Sequence, residues 1–348
     1  MADYTTIDNP GLFFNTVLYT GNGSTNAITG VGYQPDWVWI KRRGSTGSHR
    51  LFDSVRGVHK SISSNSTGAE LDNSNTLTSF DTDGFSLASD SGNYGVNVNG
   101  DTQVAWNWLG ANGSASNSDG SITSTISANP TAGFCICSWT GDGSDATIGH
   151  GLGAVPKMII HKHRSGSVQW NVYHVGTGTG GYLRLDGTNA FSSNSGFFGT
   201  APTSSVFSPG SHSYMSGNGN DNIAYIFAEV QGYSKFGSYT GNGNADGIFV
   251  YTGFKPAFII IKRTDTTAEW HMIDNKRNTF NTVNNVLSPN TTGAEATTSS
   301  NPIDFTSQGF KCRGTGTQVN ASGGSFIYMA FAEHPFVTAG TKAAGTAR

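Results

Sequence analysis

Two histidines form the pattern in this chain that is closest to a pair of metal ligands. His161 and His163 flank Lys162 in a short apolar run, and residues two apart in a β-strand project from the same face of the sheet. Imidazole nitrogens on one face can bind zinc, but a zinc site needs three or four protein ligands, and no clear third or fourth ligand is present. We predict no metal, and we interpret His161 as a core residue and His163 as the replacement of a surface cation.

Asp81 and Asp83 form a second pattern that could bind a cation. Alternate carboxylates before a glycine, as in Asp81-Thr82-Asp83-Gly84, can converge on calcium in the loops that bind this ion. Those loops also carry a glutamate further along, which this sequence lacks at the required distance. Asp, Thr and Gly are equally typical of tight turns, so we predict a hairpin turn.

Familiar catalytic motifs are absent from the sequence. No G-x-S-x-G, Walker A or H-E-x-x-H pattern occurs, so we predict no catalytic residue, no cofactor and no enzyme activity. The glycine run 176–181 formally matches G-x-G-x-x-G. It lies between two predicted strands, whereas a dinucleotide site needs a strand followed by a helix, and we interpret the run as a β-turn.

Two charge pairs recur at the same spacing, Asp53 with Arg56 and Asp274 with Arg277. A catalytic role would require a third group and a cleft, neither of which the sequence reveals. Lone charge pairs are commonly structural. We therefore predict that each pair is an ion pair that fixes the end of a strand.

Aromatic side chains are the remaining candidates for contact with a ligand. Seven Trp and twelve Tyr residues in a chain with few charges could provide faces on which sugar rings stack. Most of these aromatics recur at strand positions, which favours a place in the core. Trp37 and Trp39 point to one sheet face and fit either role. The candidate ligand-contacting residues are Trp37, Trp39, His161, His163, Trp170, Asp81 and Asp83.

Composition limits the classes of protein to which the chain can belong. Charged residues make up 12% of the chain, Gly numbers 47, and 20 basic against 23 acidic residues give a net charge of −3. Because no Lys/Arg cluster is longer than the short run Lys41-Arg42-Arg43, binding to nucleic acid is disfavoured. The N-terminal MADYTTIDNP lacks the apolar region of a secretory signal, and every apolar stretch is too short to span a membrane. We expect neither secretion by a leader nor membrane insertion.

The elements that position these residues are predicted to be three diverged copies of one β-rich unit. Each copy opens with an aromatic residue, a Thr and a Gly-x-Gly turn, at 19–23, 139–143 and 239–243. Each then has a Pro, a short apolar run and a Lys at identical spacing, at 35–41, 156–162 and 256–262. A run this short, opened by Pro and rich in β-branched or aromatic residues, predicts a buried strand.

Two further strands are predicted in every copy. The first covers 50–53, 170–174 and 270–274, and the aromatic-rich closing strand covers 104–108, 223–229 and 326–333. Short strands at turn-punctuated intervals, without helical periodicity, predict an all-β fold of tandem β-sandwich-like units. Whether these units are separate domains or share one core stays open at this point.

The predicted boundaries follow from the copies and from the segments between them. We predict a first unit at 1–110, a Gly/Ser/Asn-rich linker with an extended segment at 111–133, and a second, more diverged unit at 134–235. A third unit at 236–337 follows almost without a linker, and a flexible tail occupies 338–348. Units two and three are accordingly expected to pack tightly, with unit one tethered to them.

Several of these segments resemble a family of uncharacterised proteins of marine tailed bacteriophages. The resemblance lies in the three turn motifs and in the segments 34–41, 120–126 and 328–337, and it covers nearly the whole chain. Proteins of that family are described as virion structural or tail-fibre-like. The resemblance implies location in the virion after synthesis in the cytoplasm of the host bacterium, with other virion proteins as partners. It also implies a homo-oligomer, by analogy a trimer.

Two functional hypotheses result. The first is a non-enzymatic structural protein of the virion, either a tail or fibre component or a decoration of the head surface. The second is an adhesin of the virion that binds glycans of the host surface. A polysaccharide depolymerase is disfavoured because it requires paired carboxylates across a groove, and no acidic pair in the sequence has an obvious partner of this kind.

Overall fold

A computed structural model describes residues 4–338 of the chain as an almost entirely β structure in three units. Unit 1, residues 10–108, begins with a one-turn 3-10 helix at Pro10–Leu12. Its strands are β1 Phe14–Thr20, β2 Asn26–Ile28, β3 Trp37–Arg42, β4 Arg50–Asp53, β5 Lys60–Ser61, β6 Leu71–Asp72, β7 Leu77–Asp81, β8 Gly84–Leu87 and β9 Thr102–Trp108. Apart from Thr338, the predicted tail lies outside the described residues.

Units 2 and 3 continue the same alternation of short strands and turns. Unit 2, residues 115–228, contains β10 Ala115–Asn117, β11 Ser124–Asn129, β12 Phe134–Thr140, β13 Ile148–Gly149, β14 Pro156–His163, β15 Asn171–His174, β16 Gly178–Arg184, β17 Ser192–Ser193, β18 Val206–Phe207, the one-turn helix α1 Ser213–Ser216 and β19 Asp221–Ala228. Unit 3, residues 234–335, contains β20 Ser234–Thr240, β21 Phe249–Tyr251, β22 Phe254–Arg263, β23 His271–Asp274, β24 Asn285–Val286, β25 Ala296–Thr297, β26 Ile303–Thr306, β27 Gly309–Cys312 and β28 Ser325–Pro335. The predicted all-β class is confirmed.

Each unit has a main sheet with the same order of four antiparallel strands. The order is β1-β9-β3-β4 in unit 1, β12-β19-β14-β15 within the larger sheet of unit 2, and β20-β28-β22-β23 in unit 3. The closing strand of each unit therefore lies between the turn-motif strand and the Pro-to-Lys strand. The strands predicted around 35–41, 156–162 and 256–262 are confirmed as central strands of these sheets.

A smaller sheet packs on one face of each main sheet and encloses a core of its own. These sheets are β2-β8-β7 in unit 1, β13-β18 in unit 2 and β21-β27-β26 in unit 3. In unit 1 the enclosed core includes Val38 and Ile40 of β3 with Phe85 of β8. Because successive side chains of a strand point to opposite faces, Trp37 and Trp39 of the same strand must face the other way. Each unit is thus sandwich-like.

The outward faces of the three main sheets meet in one continuous core. Trp37 of unit 1 stacks on Tyr225 of unit 2, with ring centroids 4.1 Å apart, and Phe14 stacks on Phe331 of unit 3 at 5.0 Å. Units 2 and 3 meet through other rings of the same apolar cluster. The question that the sequence left open is therefore answered: the units keep individual cores and also share a common one.

The segment 111–133 was predicted as a linker with an extended segment; the extended part is strand β11, and the segment belongs to the sheet of unit 2. β10 pairs with β11, and β11 pairs with β12, so residues 115–129 extend the main sheet by two strands. The connection into this segment is fixed by Asp36, whose carboxylate accepts hydrogen bonds from the backbone N–H groups of Gly110 and Asn112 at 2.8 and 3.0 Å. The Gly/Ser/Asn composition here serves turns and an edge strand, and unit 1 is packed against both other units instead of being tethered.

Candidate functional site

The three tryptophans proposed as ligand platforms lie in the interior. Trp37, Trp39 and Trp170 have no exposed surface. Trp37 packs in the common core, and the indole N–H of Trp170 donates to the carbonyl of Ser63 in unit 1 at 2.9 Å. A ring without accessible surface offers no face to a sugar, so these residues pack the units together.

His161 lies in the core as its pattern predicted, whereas His163, which was predicted to replace a surface cation, is also buried. His161 is fully buried at the position that Ile40 and Ile261 occupy in the other main sheets. Its Nε2 lies 3.0 Å from Asn222 Oδ1, and burial lowers its pKa to about 3, so the ring is neutral at ordinary pH. His163 is 8% exposed and pairs with Ser165 at 3.1 Å. Among the described residues, neither ring belongs to a group of three or more His, Cys, Asp or Glu side chains that could bind a metal ion.

The two aspartates hold turns together. Asp81 lies at the end of β7 and accepts a hydrogen bond from the Ser86 hydroxyl at 2.7 Å. Asp83 accepts the backbone N–H groups of Gly30 and Gly32 at 3.0 and 2.6 Å, and these hydrogen bonds lower its pKa. Both carboxylates are thus engaged by the protein, and the predicted β7–β8 hairpin turn is confirmed.

The glycine run at 176–181 is followed by a strand. Gly176 and Thr177 form the turn after β15, and the run then continues as β16. The backbone N–H of Thr177 donates to the carbonyl of His174 at 3.0 Å, which closes the turn. The predicted β-turn is confirmed at this point, and the run leads into strand β16 instead of the helix that a phosphate-binding glycine loop requires.

The largest groups of buried charge lie where units meet, at boundaries that we call seams. At seam 1–2, Arg56 Nε lies 2.5 Å from Asp53 Oδ2, and both side chains are fully buried. Arg56 also lies 3.1 Å from Glu70, and Glu70 in turn lies 2.9 Å from Arg164 of unit 2. The hydroxyl of Tyr225 of unit 2 donates to Asp53 at 2.8 Å. Desolvation alone would raise the pKa of Glu70, but the two arginines outweigh it and lower that pKa.

Seam 3–1 repeats this chain of charges with equivalent residues. Arg277 lies 2.6 Å from Asp274 and 3.1 Å from Glu295, which in turn binds Arg43 of unit 1 at 2.8 Å. Asp274 accepts the indole N–H of Trp106 of unit 1 at 3.0 Å. The ion pairs predicted at the strand ends are therefore confirmed, and each also forms part of a junction between units.

Seam 2–3 has the same backbone contact, with neutral residues at the positions that carry the chain of charges in the other two seams. His174 occupies the position of Asp53, Phe191 that of Glu70, and Thr264 that of Arg164. The His174 Nδ1 accepts the N–H of Gly176 at 2.9 Å, so its Nε2 carries the proton and donates to the carbonyl of Tyr328 at 3.1 Å. Burial lowers the pKa of His174 to about 4.

Aromatic N–H groups cross all three seams in the same way. Trp170 donates to Ser63 at 2.9 Å and Trp270 to Arg184 at 2.8 Å, each across a unit boundary. His49 takes the equivalent place: its Nδ1 accepts the Trp39 indole N–H at 2.9 Å, so its Nε2 is the donor to Ser288 at 3.1 Å. The seams join unit 1 to unit 2, unit 2 to unit 3 and unit 3 back to unit 1, so the three units close a ring.

A polar cleft lies where the ring closes, between β1 of unit 1 and the ends of β23 and β28 of unit 3. We call it the closure cleft; its volume is about 260 Å³, and Phe14, Thr16, Asn275, Lys276, Glu333 and His334 are among the residues that line it. Thr16 Oγ1 and Asn275 Oδ1 are buried without a hydrogen-bond partner among the described residues, and each residue is 4% exposed. Such an atom costs ~1–3 kcal/mol when nothing binds it.

Thr16 belongs to no sequence motif, and only a comparison of the three copies at its position sets it apart. The register of the main sheets makes it equivalent to Ile136 and Phe236, which both lie in the common core. A hydroxyl at a position that is apolar in the other units is a departure from the repeat, and that alignment is the signal that would have identified it.

A second recess contains the exposed aromatic residue Tyr251. We call it the tyrosine recess; its volume is about 290 Å³, and Tyr4, Glu229, Gln231 and Lys235 also line it. Tyr251 is 53% exposed. Lys235 lies 2.7 Å from Glu229, and both side chains are partly exposed. An aromatic face beside an amide and an ion pair is the combination that sugar rings bind.

Residues 4–338 contain neither a cluster of metal ligands nor a membrane-spanning helix. No group of three or more His, Cys, Asp or Glu side chains is arranged to bind a metal ion in this part of the chain. Of the helices in the same part, none has the length and apolar character needed to cross a membrane.

Comparison with known proteins gives one match. The model of a family described as a domain of unknown function (DUF7483) matches residues 9–335. No curated protein and no solved structure matches the chain. The matched range includes all three units, so the seams and the closure cleft lie within one family domain, as does the tyrosine recess apart from Tyr4.

Proposed function

The chain belongs to the DUF7483 family, and we propose that it is a non-enzymatic structural protein of a bacteriophage virion. The proposed place is the tail or a fibre, or the surface of the head. The phage assignment rests on the resemblance of the turn motifs and of the segments 34–41, 120–126 and 328–337 to virion proteins of marine tailed phages. Synthesis in the host cytoplasm, assembly with other virion proteins and formation of a homo-oligomer are part of the same proposal.

The observation that carries the proposal is the common core that joins all three units. It includes 31 buried apolar residues drawn from every main sheet, and the charges and aromatic N–H groups of the seams close the ring around it. A unit that cannot move without opening this core resists shear and local unfolding. Such rigidity suits a component that transmits or withstands force.

The non-enzymatic part of the proposal is supported by the use of the buried charged groups. Asp53 and Asp274 have no exposed surface and are each bound by an arginine and by an aromatic donor of the neighbouring unit. A catalytic acid must reach its substrate, so these carboxylates are better suited to holding units together.

Quantitative mass spectrometry of purified phage particles tests the proposal. The particles are those of a phage whose genome encodes this chain. We expect the chain at a fixed ratio to the major capsid protein, retained after a salt wash that removes adsorbed host proteins. A chain that is abundant in infected cells but absent from washed particles would overturn the proposal.

A second candidate function is supported by the tyrosine recess, namely binding of host-surface glycans. The exposed ring of Tyr251 can stack on a sugar, while Glu229, Lys235 and Gln231 can bind its hydroxyls. A glycan array with the wild-type chain tests this candidate, and Tyr251→Ala should lose the signal. Phe280→Ala is the matched control, because Phe280 is a 77% exposed ring outside the recess. Equal signals for both variants would reject the recess as the binding site.

A further inference from the structure

We infer that the outer face of the small sheet of unit 3 binds a neutral polysaccharide chain, with successive sugar rings stacked on Phe249 and Tyr251. We call these two side chains the aromatic strip; they are 49% and 53% exposed, so a ligand can reach both rings. Tyr251 also lines the tyrosine recess. The inference therefore deepens the second candidate function, and it rests on glycan binding at that recess.

The aromatic strip follows from the alternation of side chains along β21. Val250 packs in the enclosed core of unit 3 with Phe310 of β27, its cross-strand partner. Phe249 and Tyr251 flank Val250 and therefore point outward, on the same face of the sheet. Residues two apart in a strand are separated by ~6.7 Å along it. Two consecutive sugars of one chain can thus each lie on a ring, whereas a monosaccharide covers only one ring.

Exposed rings at these positions occur in unit 3 and not in the equivalent strands of units 1 and 2. The outward residues that flank the inward Ile28 and Ile148 there are small, namely Ala27 and Thr29 in unit 1 and Thr147 and Gly149 in unit 2. The small sheets of those units form without aromatic residues at these places, so packing does not explain the two rings. Neighbouring apolar side chains left in solvent are typical of a binding surface.

The ring of Tyr251 is held in position by its hydroxyl. The hydroxyl of Tyr4 donates its proton to the carbonyl of Gly253 at 2.6 Å. In the contact between the two tyrosine hydroxyls, which are 3.4 Å apart, Tyr251 is therefore the donor. A ring that is already oriented loses little conformational freedom when a sugar stacks on it.

The charged side chains beside the aromatic strip are paired, which favours a ligand without net charge. Lys311 is the cross-strand neighbour of Phe249 and lies 2.6 Å from Asp246. In the tyrosine recess, Lys235 lies 2.7 Å from Glu229. Ammonium and carboxylate groups in such pairs can still bind hydroxyls. A nucleic acid or an anionic glycan needs an excess of cations, and these pairs provide none.

The chemistry of this surface identifies the class of sugar. A β-linked chain of glucose or N-acetylglucosamine has equatorial hydroxyls, so each ring presents a flat C–H face to an aromatic side chain. Its hydroxyls point sideways, towards polar groups at the rim. Aromatic faces with a few polar groups around them are suited to such a ligand.

Calorimetric titration of the full-length chain with glycans of increasing length tests the inference. The probes are glucose, cellobiose and cellohexaose, and N-acetylglucosamine, chitobiose and chitohexaose. We expect at least one hexasaccharide to bind saturably and more tightly than its monosaccharide. Phe249→Ala and Tyr251→Ala should each weaken binding of that hexasaccharide about tenfold. Because both side chains are exposed, neither variant should change the unfolding temperature.

A control variant and the pattern of losses make the test decisive. Tyr214→Ala removes a 40% exposed ring of unit 2 and should bind the hexasaccharide as the wild type does. If Phe249→Ala also binds it unchanged while Tyr251→Ala does not, the inference is overturned and glycan binding at the recess stands. If none of the probes binds, the inference is likewise overturned, and the glycan array decides separately on the second candidate function. A chain that binds no probe, and whose oligomer dissociates in Phe249→Ala, would identify the strip as an interface between copies.

Discussion

Seams 1–2 and 2–3 join their units through the same backbone contacts and differ in the charges around them. The N–H of Glu70 donates to the carbonyl of Arg164 at 2.8 Å, and the N–H of Phe191 donates to that of Thr264 at 2.9 Å. Around the first contact lies a chain of four charges, whereas the equivalent positions around the second, His174, Thr177, Phe191 and Thr264, hold neutral side chains. The backbone contact is thus common to both seams, and the charges are an addition to it.

The replacements at seam 2–3 are mutually consistent. Where Asp53 accepts a hydroxyl from Tyr225, the equivalent pair in seam 2–3 is His174 with Met329. Methionine has no N–H or O–H to donate, and His174 instead donates to the neighbouring backbone carbonyl of Tyr328. A buried charge is tolerated only with all its partners, since an unpaired one is strongly destabilising. The comparison indicates that the charges are retained or replaced as a set.

Removal of one charge from an ionic seam should have the largest effect. Arg56→Ala leaves Asp53 buried without its cation, and such losses cost ~3–5 kcal/mol of unfolding free energy. Urea unfolding monitored by tryptophan fluorescence measures the loss. Thr177→Ala is the matched control at the equivalent position of seam 2–3, where a single hydroxyl bonds the carbonyl of His174, and it should cost ~1 kcal/mol or less. Similar losses for the two variants would contradict the distinction between the seams.

Conversion of the whole seam should cost less than that single change. The variant Asp53→His, Arg56→Thr, Glu70→Phe, Arg164→Thr, Tyr225→Met gives seam 1–2 the residues of seam 2–3. Replacement of a buried ionic group by a neutral set of similar volume is often nearly neutral. We expect an unfolding free energy within ~2 kcal/mol of wild type, clearly above that of Arg56→Ala. If the fivefold variant were less stable than Arg56→Ala, the inference that the charges of a seam are replaced as a set would be wrong.

Acid should weaken the neutral seam through His174. The pKa of His174 is lowered by burial to about 4, against ~6.5 in an unfolded chain. Between these values the unfolded state binds more protons, so the stability contributed by the neutral ring is complete above about pH 6.5 and is lost as the pH falls towards 4. His174→Gln should reduce the slope of stability against pH by at most ~1.4 kcal/mol per unit. Unfolding free energies measured across this range provide the slope, and Thr177→Ala should leave it unchanged.

Much of the fold follows from local sequence, and the particular residues show why. Pro35 to Lys41 predicts a buried central strand because its β-branched and aromatic residues have no polar alternation, and β3 confirms it. The spacing of Asp53 and Arg56 predicts an ion pair, which the structure confirms. These features depend on neighbours within a few residues, and the sequence displays such neighbours directly.

The contacts between units could not be predicted from the same information. Glu70 and Arg164 are separated by 94 residues, and no local pattern indicates that they meet. The alternation of Trp37 and Trp39 with Val38 and Ile40 shows that both sheet faces are apolar. It does not show that one face meets two other units. The closure cleft is partly of this kind: comparison of the copies sets Thr16 apart, but that residue meets Asn275 only when the ring closes.

The smallest expected effect on stability concerns three lysines that have almost the same surroundings in the three units. Lys41, Lys162 and Lys262 occupy equivalent positions, and burial lowers the pKa of each to about 8. Lys262 donates across seam 2–3 to the carbonyl of Thr188 at 3.0 Å, whereas both acceptors of Lys162 lie in its own unit.

The sign of their pH dependence follows from the direction of the shift. An unfolded lysine has a pKa of ~10.4, so between about pH 8 and 10 the unfolded state holds more protons, and stability should rise with pH. Lys162→Met should reduce this slope without altering a seam contact, and Lys262→Met should reduce it while also weakening seam 2–3. Urea unfolding at intervals between pH 8 and 10 measures both. If the unfolding free energy of the wild type stays constant or falls as the pH rises, and Lys162→Met has the same slope, these ammonium groups are not desolvated in the folded protein.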